Sequence, residues 1–280
     1  MIAFIRKVFM RICPASLARP ATKVFYVIRL VWYRIFMLFF SKKMHSFCPC
    51  CGMKFRSFDA GGFRDNPKGV DTSRYKNETQ RVLCPVCRSL PRHRIQALWF
   101  EKHKECLHDT DILYFSPGRS EVLWMKRNKV SYVTADLYSK SVDIRLDIQK
   151  TGLPDESYDL IVCNHVLEHV DDFRAAIKEM FRILRFGGSF LCSFPMDPKV
   201  DLLDEDPAVQ SEEERIRRFG QKDHKRVFGM NADRFLTEAG FSVERIDGKD
   251  YPEAILPVVG PADYDMNLLF YCVKKKDGTV

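Results

Sequence analysis

Two Cys-x2-Cys pairs are the residues whose spacing most directly specifies chemistry. Cys48-Pro49-Cys50-Cys51 and Cys84-Pro85-Val86-Cys87 are separated by 32 residues. An x2 spacing lets two thiolates point at one ion, and four thiolates complete a tetrahedral Zn2+ with no open position. Cys48, Cys51, Cys84 and Cys87 are therefore the expected ligands of a structural zinc ribbon, with a hairpin in 53–83 absorbing the spacing, and Cys50 is the odd member. The chain has ten cysteines. Those outside the pairs are scattered, several through apolar stretches, which fits a metal site in a reducing compartment better than a disulfide framework.

A second set of residues has the order of a nucleoside-cofactor site. Ser116-Pro117-Gly118 make the turn after a strand-like run, and Asp136 follows Gly118 by eighteen residues at the end of the next run. A carboxylate there can accept hydrogen bonds from both ribose hydroxyls, and a polar side chain at Asp147, before Ile148, can hold the amino group of an adenine. Asn164 and His165 end a further run. His165 is one candidate base, and Asp223 beside His224 is a candidate acid/base pair. Glu168 and His169 are expected to cap or pack.

These residues need a scaffold. Strand-like stretches at 111–115, 131–135, 158–163 and 189–194 alternate with loops or helical patterns, the signature of a parallel sheet. Phe173, Ile177, Met180, Phe181 and Leu184 lie on one face of a helix over 172–185, which Gly187-Gly188 is expected to stop. A helix over 231–239 leads through Gly240 into a strand at 241–246, and a last strand spans 267–273. Two final strands without a helix between them predict an antiparallel hairpin closing the sheet. A helix over 91–107, burying Ile95, Leu98 and Trp99, joins the cysteine region to this body.

The stretch 153–195, LPDESYDLIVCNHVLEHVDDFRAAIKEMFRILRFGGSFLCSFP, resembles the core of the small-molecule branch of the class I S-adenosylmethionine-dependent methyltransferases. The resemblance implies an α/β, Rossmann-like sheet of seven strands with an antiparallel last strand, and S-adenosylmethionine as methyl donor. By position it gives Asp136 the ribose, Asp147 and Ile148 the adenine, and Asn164 and His165 the pocket wall. Ser116, Pro117 and Gly118 occupy the first motif. There the family usually has an acid on the strand and three glycines, and this chain has Tyr114, Ser116, Gly118 and Ser120. CPVCRSLPRHR, 84–94, is similar to a run in bacterial methyltransferases that carry an N-terminal ribbon and are often associated with surface-glycan synthesis. Arg92, His93 and Arg94 either contact an anionic substrate or dock the ribbon. Residues 218–226 resemble the family's acceptor-loop segment.

The loop 163–166 lacks the Pro-Pro motif of enzymes that methylate planar nitrogens, so oxygen is the expected acceptor atom. The charge distribution bears on the substrate. Residues 1–47 hold nine Lys/Arg and no acid, leaving 36 basic and 37 acidic residues for the rest of the chain. Nucleic acid is thus not the expected partner of the body, because gripping it needs a basic patch. Residues 24–40 are strongly apolar but contain Arg29 and Arg34, a combination suited to a helix lying in a membrane interface.

The expected organisation is four-part. A basic apolar helical segment (1–47) makes peripheral membrane contact through 1–43. A zinc ribbon (48–90), a linker helix (91–108) and a methyltransferase domain (109–280) follow. The expected function is O-methylation of a glycan or lipid-linked small-molecule acceptor, in the cytoplasm at the inner face of the cytoplasmic membrane. The alternatives are an RNA methyltransferase that grips its substrate with the ribbon, and a non-catalytic partner protein of the same fold.

Overall fold

A computed structural model describes residues 44–60, 81–256 and 268–275. The expectations for 1–43 lie outside these residues. Two short antiparallel strand pairs come first, β1 (Ser46–Cys48) with β2 (Met53–Phe55), and β3 (Asp59–Ala60) with β4 (Arg81–Leu83). Helix α1 (Pro91–Lys102) follows, starting with proline at its first position, where the missing N–H costs nothing. His103 leaves helical geometry and separates α1 from the single turn α2 (Lys104–Leu107), so the linker helix is shorter than its pattern suggests.

The main body alternates strands and helices: β5 (Ile112–Phe115), α3 (Glu121–Asn128), β6 (Val133–Asp136), β7 (Ile144–Arg145), β8 (Tyr158–Asn164), α4 (Phe173–Ile183) and β9 (Leu184–Ser193). A small excursion follows, with β10 (Met196–Asp197), β11 (Leu203–Glu205), α5 (Glu212–Phe219) and β12 (Arg226–Gly229). Short helix α6 (Arg234–Glu238), β13 (Phe241–Asp247) and β14 (Leu268–Lys274) complete the order. The seven-stranded sheet runs β13-β14-β9-β8-β5-β6-β7. Only β14 is antiparallel to its neighbours, wedged between β9 and β13, as the hairpin expectation requires. This is the class I methyltransferase order.

β5 reads Ile-Leu-Tyr-Phe with all four residues buried, as a central parallel strand covered on both faces must be. α4 presents Phe173, Ala176, Ile177, Met180 and Ile183 to the core, and the side chain of its N-cap Asp172 accepts the amide of Ala175 at 2.9 Å. The glycine pair does not terminate α4. The backbone is already extended at Leu184, which pairs with Tyr158, and Gly187 takes φ +81 farther along β9 beside a register shift. Pairing to β8 therefore claims the last residues of the amphipathic pattern before the glycines are reached.

Two cores flank the sheet. One gathers α4, α6 and the strand faces toward them. The other joins the cysteine region to α1, Trp124 of α3 and the opposite face of β5, β8, β9 and β14. The ribbon thus shares an apolar core with the sheet, and α1 is part of that core rather than a tether. No helix among the described residues is long and apolar enough to cross a membrane.

Candidate functional site

The carboxyl ends of β5, β6 and β8 meet at one edge of the sheet, where a doubly wound fold places its ligand. After β5 the chain turns at Ser116, in left-handed backbone geometry at φ 45, and the Ser116 amide donates to Ala135 O at 2.7 Å. The Ser116 hydroxyl donates to Asp136 Oδ2 at 2.6 Å, while the amides of Tyr138 and Ser139 donate to Oδ1 at 2.7 and 2.6 Å. Burial pushes the Asp136 carboxyl up, but the Ser116 hydroxyl and the two amides outweigh it and hold the group below the ordinary carboxylate range. Asp136 is thus an ionised acceptor fixed at the tip of β6.

Behind this turn lies a buried polar network that the sequence did not announce. Tyr114 replaces the usual acid of the first strand, and its hydroxyl accepts from Gln96 Nε2 of α1. Gln96 Oε1 accepts from Asn164 Nδ2 at 2.6 Å, and Asn164 Oδ1 accepts from the Ser193 hydroxyl at 2.8 Å. Asn164 Nδ2 also donates to Glu121 Oε1 at 3.2 Å, and the other Glu121 oxygen accepts the amide of Gly118. A Cβ on Gly118 would lie 2.6 Å from that oxygen, so a side chain here would have to push the Glu121 carboxylate off the Gly118 amide. Burial raises the Glu121 pKa against the pull of the Gly118 amide and Arg92. Glu121 therefore ties down the loop from the helix side. Its position three residues after Gly118, in the first turn of α3, was the available signal.

Asp147 and Ile148 sit beyond β7. The Asp147 carboxylate accepts from Gln149 N and Nε2 at 2.9 and 3.0 Å, and the Ile148 side chain is buried in the core. The adjoining turn is held by Glu179 of α4. Its Oε1 accepts from Thr151 N and Oγ1 at 2.9 and 2.6 Å, and Arg182 donates to both carboxylate oxygens. Hydrogen bonding to Arg182, with help from Thr151, overcomes burial and lowers the Glu179 pKa to about 2. A depressed folded-state pKa contributes stability that is present above the ordinary glutamate range, near ~4.3, and lost as pH falls toward 2. Allowing for the exposure of Arg182, Glu179→Gln should cost roughly 1–2 kcal/mol at pH 7. Denaturant titrations should show the gap constant down to about pH 5 and narrowing below it; a gap that does not narrow would contradict the assignment.

Residues 116–192 match the family described as a methyltransferase domain. YcgJ, an uncharacterized methyltransferase of Bacillus subtilis, is 28% identical over 152 residues, covering 52% of this chain and 56% of that protein. A probable S-adenosylmethionine-dependent methyltransferase of Mycolicibacterium smegmatis is 46% identical over 55 residues, 19% of this chain and 21% of that one. The chain thus spans about half the length, or less, of these curated relatives. The crystal structure of YcgJ aligns with a TM-score of 0.44 at 16% identity, covering 66% of this chain and 99% of that one. The family match falls on the strands and turns whose order was read from the sheet itself. Residues 116–192 thus match a methyltransferase-domain family, and the sheet that holds them has the class I, Rossmann-like strand order.

The loop after β8 and the segment before β12 lie together beside this edge of the sheet. His165, at φ 52, places Nδ1 3.2 Å from Glu168 Oε1. Burial and the nearby Arg92 lower the His165 pKa despite Glu168, so its imidazole is neutral at pH 7. The Asp223–His224 pairing requires correction. Asp223 Oδ2 lies 3.4 Å from His169 Nδ1, while His224 is buried with its Nδ1 3.1 Å from Phe219 O. Adjacent residues on this turn point apart, so Asp223 orients His169 and not its sequence neighbour. Arg226 holds the two segments together, donating to the carbonyls of Leu167, Val170 and Asp171.

The structure brings Cys48, Cys51, Cys84 and Cys87 together. Cys48 and Cys87 sulfurs are 3.7 Å apart and those of Cys51 and Cys84 are 3.8 Å apart. Zn–S bonds of about 2.3 Å in a tetrahedron give S···S edges of about 3.8 Å, so the donor set fits zinc. Cys50 turns away and donates to His93 O at 3.2 Å. Arg94 is fully buried and lies over the Phe58 ring; burial works against its charge, and the neighbouring cysteine cluster of Cys48, Cys84 and Cys87 favours it. It docks the ribbon through Ser89 O and Ile255 O. His93 caps α1, with Nδ1 accepting from Leu90 N at 3.0 Å and lying 2.9 Å from Ser120 Oγ. Of the three residues, only Arg92 bears on the site carboxylates, Glu121 and Glu168.

Proposed function

We propose that this chain transfers a methyl group from S-adenosylmethionine to an oxygen of a glycan or lipid-linked small molecule at a membrane surface. The observation that carries the cofactor half is the Ser116–Asp136 pair at the carboxyl edge of β5 and β6. S-adenosylmethionine supplies an electrophilic methyl carbon on a sulfonium. Asp136 would accept the ribose hydroxyls, and Asp147 with Ile148 would hold the adenine. Glu121 and Arg92 offer opposite charges toward the ends of the zwitterionic methionine. Asn164 is the pocket wall between them, and its amide is fixed by Gln96 and Ser193. His165, next along the chain, would take the acceptor's hydroxyl proton, while bound S-adenosylmethionine would supply the methyl group.

Support for oxygen is the absence of a planar-nitrogen motif in 163–166, and support for a membrane surface is the acid-free basic run in 1–43. Calorimetry with S-adenosylmethionine tests the first half. Wild type should bind, and Asp136→Ala should bind about 10-fold or more weakly, since hydrogen bonds to a charged group contribute about 1.5–3 kcal/mol. Equal affinity in the variant removes Asp136 from the site. Sedimentation with vesicles of anionic lipid tests the second half. Full-length protein should pellet and protein lacking 1–43 should not; full-length protein left in the supernatant removes the membrane reading and leaves the methyltransferase reading standing.

A further inference from the structure

Glu168 is fully buried in the loop after β8, yet neither of its carboxylate oxygens has a partner in hydrogen-bond geometry among the described residues. A buried carboxylate left in that state is costly unless a cation answers it. The Arg92 charge bears on it from a distance, and the groups nearest its oxygens are imidazoles: His165 Nδ1 at 3.2 Å and His169 Nε2 at 3.8 Å from Oε1, with His224 against His169 at a ring-centroid distance of 4.8 Å. One ligand atom from each of Glu168, His169 and His224 lies within 4.8 Å of the others.

The outer contacts of the two rings set which nitrogens are free to coordinate. His169 Nδ1 is 3.2 Å from Asp223 O and 3.4 Å from Asp223 Oδ2, and His224 Nδ1 is 3.1 Å from Phe219 O. Carbonyl and carboxylate oxygens only accept, so Nδ1 carries the proton on both rings and Nε2 keeps its lone pair. A metal-binding histidine is normally prepared in this way, its second nitrogen donating to a carbonyl or carboxylate that fixes tautomer and ring orientation. Arg226 and the amide of Lys225, which donates to Glu168 O at 2.9 Å, lock the two ligand-bearing segments to one another.

We propose that Glu168, His169 and His224 form a second metal site, separate from the four cysteines, that takes a borderline divalent transition ion of the Zn2+ type. Two imidazoles and one carboxylate suit Zn2+ and its neighbours better than Mg2+ or Ca2+, which prefer all-oxygen shells. Three protein ligands leave a fourth position, and the part-exposed His169 gives access from solvent. The inference does not depend on the identity of the methyl acceptor.

The test uses the full chain, stripped with a chelator and reloaded with Co2+ alone. Two ions per chain should bind, one with strong thiolate absorption and one with only weak visible bands. His169→Ala combined with His224→Ala should lose one ion and keep the thiolate absorption; unchanged uptake overturns the site. X-ray absorption of Zn2+-loaded wild type decides the matter independently of how well the variant folds. Nitrogen or oxygen scatterers at about 2.0 Å support the site, whether or not sulfur at about 2.3 Å is also present. Sulfur scatterers alone, or no bound ion, overturn it.

Discussion

Cys84→Ser should cost the protein one metal ion and lower its melting temperature by on the order of 10 °C, while Cys50→Ser should keep the ion. Structural zinc contributes apparent binding free energies of about 10–16 kcal/mol in isolated modules, and that binding energy is folding energy. Losing one thiolate of four forfeits a large part of it, and about 2–4 °C per kcal/mol applies to a chain of this size. Cys50 is equally buried but donates only to His93 O, so its replacement costs about one hydrogen bond, roughly 1 kcal/mol. The loss at Cys84 should also spread to the cofactor site. The ribbon shares its core with α1, and α1 carries Arg92, His93 and Gln96 to the loop after β5 and to Asn164. Metal analysis, calorimetry and S-adenosylmethionine titration of the two variants check this. Equal metal content and melting temperature in Cys84→Ser would remove the zinc reading.

That coupling marks the limit of what could be read from the chain. The sheet was legible because its strands are short apolar runs between turn signals and because α4 has a strict apolar face with an N-cap. The four sulfurs were legible because x2 spacing is a geometric constraint on one segment. Asp136 was legible because it ends a strand. Gln96, Glu121 and Ser193 were not. Each comes from a different element, and their meeting on Asn164 depends on how α1 and α3 dock on the sheet. No local pattern encodes that docking. Asp223 and His224 misled for the opposite reason: adjacency along a turn says little about where neighbouring side chains point. Glu168 and His169 read as capping or packing residues because their partner, His224, lies more than fifty residues away in sequence. The glycines at 187 and 188 looked like a helix stop, yet pairing of Leu184 with Tyr158 ends α4 first.

Arg226 shows how much of the loop after β8 rests on one side chain. It is almost fully buried in β12, its Nε donates to Glu205 Oε1 at 2.6 Å, and its guanidinium stands over the Phe173 ring with Cζ 5.0 Å from the centroid. Its remaining donors reach Leu167 O at 2.8 Å, Val170 O at 2.6 Å and Asp171 O at 2.9 Å. Arg226→Met preserves much of the volume but orphans three carbonyls and unpairs Glu205. Glu205 is exposed and can be rehydrated, so the cost comes from the orphaned carbonyls, roughly 1–3 kcal/mol for each that stays buried, which predicts a melting temperature about 10 °C lower. Arg226→Lys keeps the charge but cannot reproduce the fork of donors, so it should fall between the two. The damage should be local. Amides of 165–171 should exchange faster with solvent, whereas S-adenosylmethionine affinity should change by no more than about 3-fold, because Ser116, Asp136 and Glu121 make no contact with Arg226. Hydrogen exchange with mass analysis and calorimetry on the same samples separate these effects. Were Arg226→Met to melt with wild type, the clamp would be incidental. The geometry of His165 and Glu168 would then have to be held by the strand end and the Lys225 amide.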